Sequence, residues 1–97
     1  MSKRIYIALP IGYSRETGYA AEDALTLLGY EPANPADNNG DDRANLRMLT
    51  QCDGVLLAPN WETNPMSALA TTVAQHLNIP VGTYDHWATR PATGGQR

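Results

Sequence analysis

The sequence predicts an α/β domain in which a parallel sheet of about four strands carries helices on its faces. Two continuous apolar runs, at residues 5–9 and 55–58, are typical of strands that are buried on both sides. Segments with apolar residues at helical spacing alternate with these runs and with two weaker ones, in the order β-α-β-α-β-α-β. Strands that alternate with helices in this way form parallel sheets, and their ligands bind beyond the carboxyl ends of the strands.

The first strand ends at Pro10, and a loop leads from it to the first helix. Ser14 is suited to cap that helix, Glu16 stands in its first turn, and Gly29 supplies a left-handed stop. The apolar stripe expected to face the sheet is made of Ala20, Ala21, Ala24, Leu25 and Leu28.

The second strand, at residues 30–33, is weak and contains Pro32. Proline cannot donate to a strand ladder, so this strand is predicted at an edge of the sheet. A polar loop follows, and Asp41 or Asp42 then caps a second helix that runs to Gln51.

The third strand is predicted at residues 53–59, and a loop separates it from the third helix. Asn64 is the expected cap of that helix, and Pro65 suits its first position. The predicted buried stripe consists of Met66, Leu69, Val73, Ala74 and Leu77. Asn78 ends the helix, and a short last strand is predicted at residues 79–84.

The 97 residues predict one domain at residues 1–86 and a flexible tail at residues 87–97. A domain of this size buries only roughly 60–65% of the surface that its unfolded chain exposes, which favours a homo-oligomer. The net charge is −3 and the seven basic residues are scattered, so neither duplex nucleic acid nor a membrane is an expected partner. The single cysteine and a first apolar run too short for a signal peptide predict a cytoplasmic protein.

Common cofactor and catalytic motifs are missing from the sequence. Neither Gly-x-Gly-x-x-Gly nor a Walker-type phosphate loop occurs, and there is no Gly-x-Ser-x-Gly elbow. His76 and His86 lack a clear third metal ligand, and Asp53 beside Cys52 disfavours a reactive thiolate. We therefore expect neither a cofactor nor a metal.

Polar and aromatic residues gather where the four predicted strands end. The rings of Trp61 and Tyr84 can stack on a planar base, and side chains such as Asn34 can bond to ribose hydroxyls or base edges. The candidate ligand-binding residues are Tyr6, Leu9, Pro10, Gly12, Asn34, Asp37, Asn60, Trp61, Glu62 and Tyr84. Each has an ordinary structural alternative, because polar loops contain such residues without any ligand.

Several stretches of the chain resemble one family. They include Asn34-Pro35-Ala36-Asp37, Arg43-Ala44-Asn45, Cys52-Asp53-Gly54-Val55 and Pro59-Asn60-Trp61-Glu62. Over roughly residues 4–82 the chain resembles the small, mostly phage- and prophage-encoded domains related to the nucleoside 2-deoxyribosyltransferases. The resemblance implies a three-layer, flavodoxin-like fold and a crevice shaped for a nucleoside. It also implies cleavage of the N-glycosidic bond, in which a glutamate attacks the anomeric carbon and an aspartate assists the leaving base.

The chain departs from the family at the positions that carry this chemistry. Leu9 replaces a glycine, Asn45 replaces the usual aspartate, and Ala70 stands where the nucleophilic glutamate would fall. An alanine cannot form the glycosyl-enzyme bond, and an asparagine cannot transfer the proton.

Three functions remain open at this point. The chain is expected to bind or sequester a small nucleoside or nucleotide without chemistry, in the host cytoplasm if it is phage-encoded, where it would act against a nucleotide-based defence. The alternative is a deoxyribosyltransferase or N-glycoside hydrolase that uses Glu62 as nucleophile, with Asp37 or Asp53 as partner. A third interpretation is a protein-interaction module with exposed Trp61 and Trp87.

Overall fold

The computed structural model describes residues 3–89. Its elements in chain order are β1 (Arg4–Ala8), α1 (Arg15–Leu27), β2 (Glu31–Ala33), a first 3₁₀ turn (Pro35–Asn38), α2 (Asp42–Thr50), β3 (Gly54–Leu57), a second 3₁₀ turn (Trp61–Thr63), α3 (Pro65–His76), β4 (Val81–Gly82) and α4 (Tyr84–Ala88). No helix in this part of the chain is both long enough and apolar enough to span a bilayer.

The sheet is parallel throughout, and its strand order is β2-β1-β3-β4. The predicted α/β fold with four parallel strands is confirmed, and β2 with Pro32 lies at an edge, as expected. From β1 the chain first moves to β2 on one side and then to β3 on the other. The topological switch point, where ligands bind in open α/β sheets, therefore lies between the carboxyl ends of β1 and β3.

Helices cover both faces of the sheet, which is compatible with a three-layer flavodoxin-like fold. The core on the α1 and α4 side is built from Ile5, Ile7, Leu9, Leu25, Tyr30, Leu56, Ala58 and Trp87. The core on the α2 and α3 side is built from Tyr6, Ala8, Ala33, Leu49, Cys52, Val55, Ala70 and Ala74. Alternate residues of β1 supply the two cores, as the period of two in a strand requires.

The predicted helix caps are confirmed. The Ser14 hydroxyl accepts a hydrogen bond from the Thr17 amide, and carboxylate and amide oxygens of Asp41 and Asn64 accept one from the first turns of α2 and α3. Gly29 has a φ of 90°, which provides the left-handed stop after α1.

The predicted stripe of α3 is correct for Ala74, which is buried, and for Met66 and Val73, which pack against the core, but it is wrong for its two leucines. Leu69 and Leu77 are exposed, whereas the buried residues are Ser67, Ala70, Thr71 and Ala74. Small side chains on this face allow the helix to lie close to the sheet, so hydrophobicity alone misidentifies the face that packs. On α1 the same effect places Gly18 in the interior and leaves Ala20 exposed.

The predicted tail begins too early. The last strand is only two residues long, and Trp87, expected to be exposed, is 4% exposed in the core beside α1. Its indole N–H donates to the Val55 carbonyl at 2.9 Å, and its ring meets Tyr30 edge-on at 5.5 Å between centroids. Burial of this large ring with its N–H satisfied extends the domain through α4. Residues 90–97 of the predicted tail lie outside the described residues.

Gly54 allows Trp87 to pack against β3. A Cβ at this position would collide with the indole ring and would lie 3.1 Å from Ile5 Cδ1. We expect Gly54→Ala to lower the free energy of unfolding by about 1–3 kcal/mol, measured by urea denaturation, because the indole must shift out of its site. In a Trp87→Leu background the same substitution should cost much less, and equal costs in both backgrounds would contradict this account of the contact.

Candidate functional site

Two crevices open at the carboxyl edge of the sheet. The first, which we call the β1 crevice, has a volume of about 210 Å³ and is lined by Tyr6, Leu9, Tyr13, Pro35, Gly40, Asp42, Asn45, Asn64, Met66 and Ser67. The second, which we call the β4 crevice, has a volume of about 370 Å³ and is lined by Leu57, Ala58, Pro59, Asn60, Trp61, Glu62, Thr83, Tyr84 and Asp85. Small-ligand sites typically measure roughly 300–1,000 Å³, so the β4 crevice lies within this range, and the β1 crevice has room for one ring of a larger ligand, the rest of which would lie outside it.

The structure divides the predicted site residues between these crevices. Tyr6, Leu9 and Asn45 line the β1 crevice, whereas Asn60, Trp61, Glu62 and Tyr84 line the β4 crevice. Pro10, Gly12, Asn34 and Asp37 line neither. The sequence predicts one site at the carboxyl edge of the sheet, because it cannot show that the loops after β1 and β3 turn toward different helices.

Tyr6 supplies a hydroxyl to the floor of the β1 crevice. The residue is 1% exposed, and burial raises the pKa of its phenol, so the group keeps its proton. Within residues 3–89 the hydroxyl makes no hydrogen bond. It is therefore a neutral donor that faces the crevice with its bonding capacity unused.

Asn45 contributes a second uncommitted donor. Its side chain is 5% exposed, and its Oδ1 accepts a hydrogen bond from Asn38 Nδ2 at 2.8 Å. This bond fixes the orientation of the amide, and its NH₂ group has no hydrogen-bond partner in the part of the chain that the structure describes. Where the resemblance predicts an aspartate, the crevice is therefore lined by an amide.

Ser67 joins the start of α3 to the end of β1. Its hydroxyl donates to the Leu9 carbonyl at 2.6 Å, and both residues line the β1 crevice. Sequence reasoning missed Ser67, together with Tyr13, Asp42, Asn64 and Met66. The predicted cap at Asn64 could have located Ser67, because a residue three positions after a cap lies in the first turn of its helix.

Ala70 lies one turn after Ser67 and is fully buried beside Tyr6 in the core. Side chains on a helix lean toward its amino end, so a longer side chain at this position would extend toward Ser67 and the β1 crevice. Asn45 thus lines the β1 crevice, whereas Ala70 is buried in the core and does not line it.

Other predicted residues have structural roles. Asn34 donates to Glu22 Oε2 at 2.8 Å and accepts from the Ala36 amide at 2.9 Å, which caps the first 3₁₀ turn. Asp53 accepts a bond from the Arg4 amide at 2.9 Å, at the amino end of the sheet. Asp37 is exposed on the first 3₁₀ turn. Neither aspartate shares a crevice with Glu62.

Cys52 is inert in the folded chain. Burial, and to a smaller degree Asp53, raises the pKa of its thiol to about 11, although Arg4 acts in the opposite direction. The thiol donates to the Met48 carbonyl at 3.3 Å. Within residues 3–89, no three His, Cys, Asp or Glu side chains are grouped as metal ligands would be.

Comparison with known proteins gives no match to a family model, to a curated protein or to a solved structure. The function must therefore be inferred from the two crevices and from the surface of the domain.

Asn34 offers a test of the structural assignments. We expect Asn34→Ala to lower the free energy of unfolding, measured in urea, by about 1–3 kcal/mol. The substitution removes the cap of the first 3₁₀ turn, and the Ala36 amide and the Glu22 carboxylate lose their hydrogen bonds to Asn34. The matched control is Asp37→Ala on the same turn, which should change stability by about 0.5 kcal/mol or less. Equal effects of the two substitutions would contradict the structural role of Asn34.

Proposed function

We propose that this protein binds a nucleoside or nucleotide in the β1 crevice and does not transfer its sugar. The observation that carries the proposal is the pair of donors, the Tyr6 hydroxyl and the Asn45 NH₂ group. Both belong to side chains that are at least nine-tenths buried, and both line the same crevice with no partner among the described residues. Neither donor is held by the protein, so each can bind an acceptor group of a ligand that enters the crevice, and two such bonds add affinity.

The remaining lining suits a ring-shaped polar ligand. Tyr13 presents an aromatic ring, Met66 presents apolar surface, and the Asp42 carboxylate can accept hydrogen bonds from hydroxyls. A base or a ribose combines flat or apolar faces with polar edges in the same way. The resemblance to the nucleoside 2-deoxyribosyltransferases, which implies a crevice shaped for a nucleoside, supports the same ligand class.

Sugar transfer is disfavoured by the carboxylate content of the β1 crevice. Retaining glycoside chemistry uses two carboxyl groups about 5 Å apart, one as nucleophile and one as acid. Asp42 is the one carboxylate among the described residues that line this crevice, and Ala70 occupies the nucleophile position. We therefore place the protein among binders, with sequestration of its ligand in the cytoplasm as its proposed role.

A second candidate is glycoside cleavage in the β4 crevice. Glu62 lines it together with Asp85, so two carboxylates do share a crevice there, although the partner is not Asp37 or Asp53. The aromatic rings of Trp61 and Tyr84 could hold a base beside them. This candidate differs from the first in its product, because only cleavage releases free base.

A third candidate is association through α3, with a second copy of the chain as the partner. The segment 63–84 contains no Lys, Arg, Asp or Glu, and it exposes Leu69 and Leu77. A surface helix ordinarily has a charged outer face. In a chain of net charge −3, this neutral face is one on which two copies can meet without bringing like charges together.

Equilibrium dialysis against mixed nucleosides and nucleotides tests the first two candidates. We expect depletion of one compound with no release of free base. Asn45→Ala and Tyr6→Phe should each weaken that binding by about five- to tenfold, since each removes one hydrogen bond of about 1 kcal/mol. Tyr84→Ala, in the β4 crevice, is the control and should bind normally.

The reverse pattern, with binding lost in Tyr84→Ala and retained in Asn45→Ala, would move the ligand to the β4 crevice. Free base that disappears in Glu62→Gln would support the cleavage candidate instead.

Sedimentation tests the association candidate. We expect the wild-type chain to dimerise, and Leu69→Lys combined with Leu77→Lys to make it monomeric, because the charges would have to be buried in the interface. Leu27→Lys, on the exposed side of α1, is the matched control and should remain dimeric. A monomeric wild type at high protein concentration would rule the association out.

A further inference from the structure

Two helices begin at the β1 crevice. Asp42, the first residue of α2, and Asn64, the cap of α3, both line it. Amino ends of helices carry partial positive charge and unpaired amides, so such a place commonly binds phosphate. Phosphate can bind here only where a helix end still has unpaired amides and uncompensated positive charge.

Side chains of the protein itself cap both helices. Asp41 Oδ1 accepts from the Ala44 amide at 3.1 Å, and Asn64 Oδ1 accepts from the Met66 amide at 3.0 Å. Pro65, at the first position of α3, has no N–H to offer. The positive end of α2 also meets the two carboxylates of Asp41 and Asp42, which take the place that an external anion would fill.

The charge of the residues that line the β1 crevice also disfavours phosphate binding. Asp42 is the one charged side chain among the described residues that line the crevice, and no Lys, Arg or His joins it there. Arg43, its neighbour in the chain, is exposed and does not line the crevice. A phosphate brings a charge of about −1.5 to −2, which a nearby carboxylate without a cation repels.

We infer that the β1 crevice selects an unphosphorylated nucleoside and that Asp42 discriminates against its phosphate esters. The inference rests on the proposed function and narrows it. The neutral donors of Tyr6 and Asn45 satisfy oxygen or ring-nitrogen acceptors on the ligand. The carboxylate of Asp42 accepts from hydroxyls and excludes esters of the same hydroxyls.

Calorimetric titration tests this selectivity with adenosine, guanosine, cytidine, uridine and thymidine, each paired with its 5′-monophosphate. For the nucleoside that binds, we expect its monophosphate to bind about tenfold more weakly or worse at low salt. In about 0.5 M NaCl the gap should narrow, because salt screens the repulsion while leaving nucleoside binding almost unchanged. This comparison uses the wild-type chain and needs no variant to fold.

Asp42→Asn should reduce the nucleoside-to-monophosphate affinity ratio by about threefold or more, whereas Asp37→Asn, an exposed residue that lines neither crevice, should leave the ratio unchanged. Equal or tighter binding of the monophosphate in the wild type would overturn the selectivity and leave the proposed function intact. A gap that persists in high salt and in Asp42→Asn would overturn the role of Asp42. Binding of neither class would overturn the proposed function itself.

Discussion

The burial of β1 on both faces is the constraint on which the rest of the structure depends. Residues 5–9 are almost completely inaccessible, and they alternate between the two cores. A strand in this position must have a neighbour on each edge and helices on each face, so the chain has to cross over the sheet after every strand. The same crossovers place the switch point at the carboxyl end of β1, and the candidate site therefore lies next to a strand that is buried on both faces.

Local rules were sufficient to predict much of the fold. Capping at Ser14 and Asn64, the left-handed Gly29 and the edge position of Pro32 each depend on one residue and its immediate neighbours. The errors lie where local and tertiary preferences disagree. The α3 stripe was assigned by hydrophobicity, but the sheet accepts Ser67 and Ala70 because they are small. The sequence predicts a tail at Trp87 because no local pattern reveals its contacts with Tyr30 and Val55, which are distant in the sequence.

Sequence reasoning predicts a site at the carboxyl edge of the sheet, where both crevices open, but it does not separate the residues of the two crevices. Strand order alone shows that the loops after the strands meet at one edge, and Tyr6, Leu9 and Asn45 could be identified on that basis or through the resemblance. Whether a rim residue faces a ligand or its own backbone depends on hydrogen bonds that no local pattern encodes. Asn34 and Asn45 show the difference: the nitrogen and the oxygen of the Asn34 amide each make a hydrogen bond, to Glu22 and with Ala36, whereas only the oxygen of the Asn45 amide makes one.

The presence of polar side chains at Tyr6 and Asn45 favours a binding role for the β1 crevice over a purely structural one. A domain of 97 residues has a thin margin of stability, and an apolar side chain contributes more to a buried core than a polar one of similar size. A phenylalanine in place of Tyr6 and an aliphatic side chain in place of Asn45 would suit a core that already contains Leu49 and Val55. The chain instead holds Asn45 in a fixed orientation through Asn38 and leaves both donors facing the crevice. Neither donor has a partner among the described residues, and the acceptor groups of a nucleoside are the partners that we propose for them.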